Sequence, residues 1–302
     1  MSLVSLSPGR LTWQRLLRHR MAQVSLVFLM VLVVLSIAGP LIAELRHVDP
    51  TATDLFHRYE SPSAAHWLGT DELGRDLLHR LLAGGSVSLL VGLAGALLSA
   101  LIGAVIGVMA GYLGGRLDTI LMRLTDGVIA LPLLPLLIVL AAIDPRKLGI
   151  PDQIAQAETF SLYRIVIIVA LTGWTTVARL VRAETLSLKA RDFSRAARAL
   201  GANPTRIMFR HILPNAAGSL VVATTMSVGT LILFESTLSF LGLGIQPPAA
   251  SWGNMLTGAQ ELLHEAPILA LWPGLLIFLT VIAFNFVGDG LQDALDPRSE
   301  RR

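Results

Sequence analysis

The sequence predicts an all-α membrane protein with six transmembrane helices, and three observations carry that prediction. Of 302 residues, 53% are hydrophobic and only 15% charged, where a soluble domain carries roughly a quarter charged residues. Apolar runs recur at 23–43, 87–112, 120–143, 162–181, 217–240 and 269–287, each near the roughly 20 residues a bilayer-spanning helix needs. The cations are also unevenly placed. With the N-terminus in the cytoplasm, fifteen of the 24 Lys and Arg fall in inner segments and six in outer ones, which satisfies the positive-inside bias. An even number of spans then leaves both termini cytoplasmic, and the lipid bilayer is the first partner expected.

The chain divides accordingly into a cytoplasmic segment 1–22, a first transmembrane helix 23–43, a periplasmic segment 44–85, a five-helix unit 86–290 and a cytoplasmic tail 291–302. The first span follows Arg10, Arg15, Arg18 and Arg20 and contains a cleavage-like Ser36-Ile37-Ala38. Its apolar core exceeds the roughly 7–15 residues of a signal peptide, so it is read as retained. Segment 44–85 carries seven acids and should contain short structure; 144–161 and 244–267, marked by Pro and Gly, read as outer caps.

Helix two repeats small residues at Gly95, Ser99, Gly103, Gly107 and Gly111. A four-residue spacing aligns them on one side, where another backbone can approach closely and gain the van der Waals contact that drives association in lipid. Helix three contains Pro132 and Pro135, each lacking a backbone donor, so a bend is expected there. Its Arg123 and Asp126, three apart, suit a structural pair or snorkelling groups near the inner boundary. Helix five carries Thr224, Thr225, Ser227 and Thr230. Their hydroxyls can either satisfy their own helix carbonyls or line a wet pathway, and both readings stand. Glu235 is a gate or pathway candidate, or the cap of a broken helix.

The inner loop 182–215 holds the most legible element. Asp192 suits an N-cap and Gly201 a terminator that tolerates positive φ, which bounds a two-turn helix. Phe193, Ala196, Ala197 and Leu200 follow i, i+3, i+4, i+7, while Arg191, Arg195 and Arg198 take other faces. Asn203 should cap a second short helix that begins at Pro204, and Pro214 closes the segment. A helix this short needs docking to be stable, and an alanine-rich stripe with one protruding Phe suits a groove on another protein. Lying on the membrane surface would call for bulkier apolar residues, and DNA binding for a positioned dimer outside the bilayer.

Catalytic chemistry is missing. Cysteine is absent, which removes thiol nucleophiles and zinc-thiolate sites. The only lysines, Lys147 and Lys189, precede Leu148 and Ala190, so no phosphate-binding GxxxxGK[ST] loop exists. His264-Glu265 begins like a zinc-protease motif, but position 268 is Ile. The stretch around Ser86 lacks the final Gly of a nucleophile elbow. A net charge of only +3 gives no case for nucleic acid. No catalytic, metal or cofactor site is therefore expected in this chain.

Residues 184–215, with Ala-Ala-Arg-Ala-Leu-Gly at 196–201 and Arg-His-Ile-Leu-Pro-Asn at 210–215, resemble the cytoplasmic signature loop of permease subunits of binding-protein-dependent ABC importers. His66-Trp67-Leu68-Gly69-Thr70-Asp71-Glu72-Leu73-Gly74-Arg75-Asp76, Leu238-Ser239-Phe240-Leu241-Gly242-Leu243-Gly244 with Gln246-Pro247-Pro248, Gly288-Asp289-Gly290-Leu291 and Asp296-Pro297-Arg298 are similar to the second, C-type permease subunit of dipeptide, oligopeptide and nickel importers. The resemblance implies a type I ABC importer transmembrane domain. Its partners would be a homologous second permease, two cytoplasmic ATPases that hold ATP and Mg, and an external substrate-binding protein.

The two-turn helix would then be the coupling helix, with Asp192, Phe193, Arg195, Ala196, Ala197, Leu200 and Gly201 seated in an ATPase cleft. The family commonly has Glu at the position of Arg195, so a charge contact is lost or inverted here, and Asp192 is the acid one turn away. The stretch 144–161 also looks longer than in the family. Within this reading the cargo is a dipeptide or oligopeptide, with nickel chelates and glutathione-like compounds as alternatives. A self-sufficient channel or secondary transporter is the alternative of another class. It would call for inverted repeats or a midplane cluster of charges, neither of which the sequence carries.

Overall fold

A computed structural model describes residues 8–49, 51–155, 157–257 and 266–295. The basic residues Arg298, Arg301 and Arg302 and the pair His264 and Glu265 lie outside the described residues. Within them the chain is helical: α1 (Pro8–Leu16), α2 (Arg20–Leu45), α3 (Leu77–Leu113), α4 (Gly115–Ala130), α5 (Leu133–Ala142), α6 (Asp152–Ala155), α7 (Glu158–Lys189), α8 (Asp192–Ala199), α9 (Pro204–Arg206), α10 (Ala217–Phe240) and α11 (Pro267–Leu295). Five helices are long and apolar enough to cross a membrane, and the pair α4 and α5 makes a sixth span if the two are taken together.

The elements depart from the sequence-based bounds where charge is hidden. The helix expected to start at 87 starts at Leu77, because Asp76 accepts the His79 N–H at 3.0 Å and caps it. His79 and Arg80 interrupt the apolar run but are themselves buried against acids. At 37 residues α3 is about 55 Å long, well beyond the roughly 30 Å of hydrocarbon. Helix α7 overruns its expected 162–181 at both ends, so Arg182 lies inside a helix and the loop opens only at Ala190. The span expected at 120–143 breaks at Leu131 and Pro132 into two helices bent by 89°. Proline there cannot donate to the preceding turn.

The centre of the molecule is the seam between α3 and α7. A Cβ added at Gly103 would lie 2.6 Å from the Trp174 carbonyl oxygen, and one at Gly107 2.6 Å from that of Ala178. Gly95 faces Val169, Gly111 faces Thr185, and Ser99 donates to the Ala170 carbonyl at 3.3 Å. Four glycines and a serine thus bring two backbones together along more than four turns. Helices α10, α11 and α2 pack around this pair. The bundle has two working ends. One carries α8; the other, the cap end, carries 46–76 and 244–257.

The pair expected within helix three is not formed. Asp126 instead meets Arg179 of α7 at 2.5 Å, and Asp118 takes Arg182 in a two-pronged bond at 2.6 and 2.7 Å. Both acids, two turns apart on α4, reach across to two arginines one turn apart on α7.

Candidate functional site

Helix α8 is bounded more sharply than its eight residues would suggest. Arg191, not Asp192, is the residue preceding the helix, and its side chain makes no capping bond; Asp192 sits inside the first turn, where its charge faces the positive end of the helix. At the far end the Gly201 N–H bonds the Arg198 carbonyl and the Ala202 N–H the Ala197 carbonyl, both at 3.0 Å. This double closure needs a left-handed residue, and Gly201 supplies it at φ 78°.

The apolar stripe is split rather than continuous. Phe193 is 38% exposed, Leu200 88%, and Ala196 is exposed beside them. Ala197 is half-buried and packs against the molecule's own cluster around Val108, Ile207 and Ile212. Ser194, which no local pattern singles out, is the side chain turned fully inward, 1% exposed. At about 100° per residue, 193, 196 and 200 share one face and 194 and 197 fall on the inner side. Arg195 and Asp192 are both exposed.

The inner side is clamped to the bundle by Tyr112, the penultimate residue of α3. Lys189 and Arg198 stand over its ring, 5.4 and 5.6 Å from the centroid. Lys189 also donates to the Tyr112 carbonyl at 2.5 Å. Beyond α8, Asn203 accepts the Arg206 N–H at 2.8 Å and starts the short helix at Pro204. A wide turn over Ile207–Ile212 then buries Ile207, Met208 and Ile212 and leads into α10. Helices α7, α8 and α10 are therefore linked with little slack.

A cavity of about 550 Å³ lies mid-bundle, between the elbow of α4 and α5, α7, α10 and α11. Ser227 and Thr230 line it together with Thr172, Thr175, Met226 and Asn285. The Ser227 hydroxyl also donates to the Ala223 carbonyl at 2.7 Å, so a residue that faces the cavity bonds its own helix as well. Thr224 is not on this wall; its hydroxyl donates to the Leu220 carbonyl at 2.7 Å.

Glu235 is not on the wall either, and it caps no broken helix: α10 runs through it to Phe240 and the side chain is entirely buried. Its Oε1 accepts from Ser239 at 2.7 Å and its Oε2 from Ser88 at 3.0 Å and Ser236 at 3.4 Å. Each of two serines passes the contact on. Ser88 accepts the Trp252 N–H at 3.2 Å and Ser239 the Ile245 N–H at 3.1 Å. One carboxylate thereby holds two backbone points of the segment 244–257. The fully buried Trp252 ring adds a third, donating to the Leu81 carbonyl at 3.0 Å. Gly253 permits the approach, since a Cβ there would meet the Ser236 backbone at 2.5 Å.

The other half of the cap end is ionic. Buried Asp71 accepts from Arg75 at 2.7 Å and meets Arg80 at 3.2 Å. Asp76 takes the rings of His79 and His66 at 2.7 and 3.0 Å. Burial pushes the Asp76 carboxyl up, but bonds from the His79 N–H and from both rings outweigh it and hold it below the ordinary carboxylate value. Sequence reading passed over Ser88, Ser194, Tyr112 and Trp252. The one available signal was a lone serine facing an intramembrane acid, which needs the fold to be seen.

Two family models match the chain. The model described as binding-protein-dependent transport system inner membrane component covers residues 103–301, and that of the N-terminal TM domain of oligopeptide transport permease C covers residues 7–62. Among curated relatives, the oligopeptide transport system permease protein OppC of Bacillus subtilis (strain 168) is 37% identical over 294 residues, 97% of this chain and 91% of its own length. The glutathione transport system permease protein GsiD of Pectobacterium atrosepticum is 40% identical over 296 residues, 97% of this chain and 92% of its own. The GsiD protein of Salmonella paratyphi A is 42% identical over 296 residues, with 97% and 91% covered.

Proposed function

Since the chain belongs to the family of binding-protein-dependent transport system inner membrane components, multi-pass permeases of ABC importers, we propose that it forms one half of a conduit for short peptides and couples that conduit to a partner ATPase through α8. A second, homologous permease supplies the other half. Two cytoplasmic ATPases hold ATP and Mg, an external binding protein delivers cargo at the cap end, and this chain binds no cofactor. The positive-inside distribution supports cytoplasmic termini and, with them, a position of α8 on the side where an ATPase would sit.

The observation that carries this reading is the two-sidedness of α8. Its inner face is fixed by Ser194, Ala197 and Arg198, while Phe193, Ala196 and Leu200 are apolar and open. A terminated two-turn helix held rigidly with its apolar face outward is shaped for insertion into a groove on another protein. Motion of that groove would pass through α8 into α7 and α10, which wall the mid-bundle cavity. The names of the relatives, oligopeptide and glutathione permeases, support short peptides as cargo.

Leu200→Asp tests it most cleanly, because Leu200 touches little of its own chain, whereas an acid at Ala197 would also disturb the molecule's core. Coexpressed with its partners, Leu200→Asp should insert and melt normally, fail to retain the ATPase on purification and abolish uptake. Normal uptake with the ATPase still bound overturns the assignment.

A further inference from the structure

We propose that the mid-bundle cavity is a subsite for N–H donors, the backbone amides and terminal ammonium of a peptide, and that it does not read side-chain charge. This rests on the peptide-conduit reading above.

The argument is about which hydrogens are already spent. The Ser227 hydroxyl gives its proton to the Ala223 carbonyl at 2.7 Å, Thr172 to Val169 at 3.0 Å and Thr175 to Thr172 at 3.2 Å. The Asn285 side-chain amide gives one N–H to the Val281 carbonyl at 2.9 Å. A hydroxyl has one proton and two lone pairs, and an amide oxygen only accepts. Three hydroxyl oxygens and the Asn285 Oδ1 are thus left to accept, and the donors that remain are the Thr176 and Thr230 hydroxyls and the second Asn285 N–H.

No charged residue lines the cavity among the described residues. Of the ions close to the lining, Asp126 and Arg179 neutralise each other, Glu235 beside Phe234 is buried among serines, and Asp289, one turn beyond Asn285, is not part of the lining. The rest of the wall is apolar, with Ile129, Leu131, Met226 and Phe234 among its residues.

Such a wall sorts ligands by hydrogen-bond sense. An anion would lose its water and find few donors, which is costly. A peptide backbone brings an N–H at every residue, and neutral acceptors meet it with modest bonds. Side chains of either charge find no fixed partner. The C-terminal carboxylate must then face away from this wall, so the subsite also sets which edge of the peptide lies against α7, α10 and α11. Weak, repeated, uncharged contacts suit a surface along which cargo must pass as well as bind.

The experiment compares a tripeptide with its ester analogues, in which each backbone N–H in turn is replaced by oxygen, using the complete transporter in proteoliposomes with binding protein at saturation. Asn285→Leu removes an acceptor at similar size, and Ser227→Ala removes one with minimal disturbance. The expected result is a loss of tripeptide uptake of about five-fold in Asn285→Leu, the size of one neutral hydrogen bond. Ser227→Ala should show a smaller loss in the same direction. Uptake of the ester lacking the N–H that meets the deleted acceptor should be unchanged. Equal losses for peptide and every ester, or no loss for either variant, overturn the subsite. Wild-type transporter that moves none of these compounds, yet hydrolyses ATP when loaded binding protein is added, overturns the peptide reading itself.

Discussion

Ser88 and Glu235, 147 positions apart in the chain, stand 3.0 Å from each other through Oγ and Oε2, with both side chains buried. The contact joins α3 to α10 at the cap end, and the same serine oxygen accepts the Trp252 N–H. A carboxylate in a span normally suggests a pathway group. Here three serine hydroxyls turn inward on it, and through two of them it holds the segment 244–257 at the cap end.

Replacing Glu235 by Leu should therefore loosen that segment without emptying the conduit wall. Ser88 and Ser239 lose their acceptor, and each unsatisfied buried group costs about 1–3 kcal/mol. Amide exchange at Ile245 and Trp252 should accelerate, and protease should cut within 244–257. Ser88→Ala should give a smaller effect at Trp252 alone. Unchanged exchange at both amides in Glu235→Leu would show that the cap is held by other contacts.

The glycine seam makes a second prediction. Gly103→Val places methyl groups beyond a Cβ already 2.6 Å from the Trp174 carbonyl, so the backbones of α3 and α7 must part. Overpacking of this kind costs roughly 1–3 kcal/mol or more, and a large drop in folded yield and melting temperature is expected. Gly127→Ala, where nothing lies within 4 Å, should melt like the wild type. Equal behaviour of the two variants in a detergent melting series would remove the seam from the account.

How much of this was legible in the sequence depended on whether a residue's partner was local. The spacing of Gly95, Ser99, Gly103, Gly107 and Gly111 shows a face without naming what it meets. The α8 segment was readable because Gly201 and the i, i+3, i+4, i+7 stripe are local signals, though the half-turn that buries Ser194 and Ala197 depends on a cluster brought from α3 and Ile207–Ile212. Asp126 was legible as an ion-pair group, but its partner comes from 53 residues away, across α4 and α7. Helix bounds failed where His79, Arg80 and Arg182 broke the apolar windows, because their neutralising acids lie outside the window or on another helix. Glu235 reads in the sequence as a gate or pathway group or as the cap of a broken helix, on the rule that buried acids face protein or water; that it faces protein depends on serines brought from α3 and from the next turn of α10.

Asp76 gives the chain an acid limit at the cap end. Its folded-state value lies below the ordinary one near 3.8, so the stability it contributes is complete above that value and is lost as pH falls through the lowered one. In a melting series the wild type should weaken below about pH 4. Asp76→Asn should be less stable at neutral pH, since the helix cap and the two imidazole contacts lose a charge-assisted acceptor, and its melting should lose part of that acid dependence. A variant with the wild-type acid profile would mean that Asp76 does not set the limit.

Under the proposed function, Tyr112 would separate seating of α8 on an ATPase from transmission through it. Its ring lies under Lys189 at the end of α7 and Arg198 at the end of α8, which it holds 5.4 and 5.6 Å away, while Phe193, Ala196 and Leu200 are on the opposite side. Tyr112→Ala leaves the outward face intact but removes two cation–π contacts of about 0.5–1 kcal/mol each and also a buried ring from the cluster of Val108, Ile207 and Ile212, at a cost of about 3–5 kcal/mol. The ATPase should still copurify, but peptide moved per ATP hydrolysed should fall several-fold, because α8 can shift without carrying α7. Tyr112→Phe keeps the ring and loses only the long 3.4 Å contact between Arg198 and the hydroxyl, so its coupling ratio should stay near that of the wild type. Loss of ATPase binding in Tyr112→Ala would place the ring in the docking surface instead. An unchanged ratio in Tyr112→Ala would mean that transmission does not depend on the ring, either as a clamp or as part of the cluster of Val108, Ile207 and Ile212.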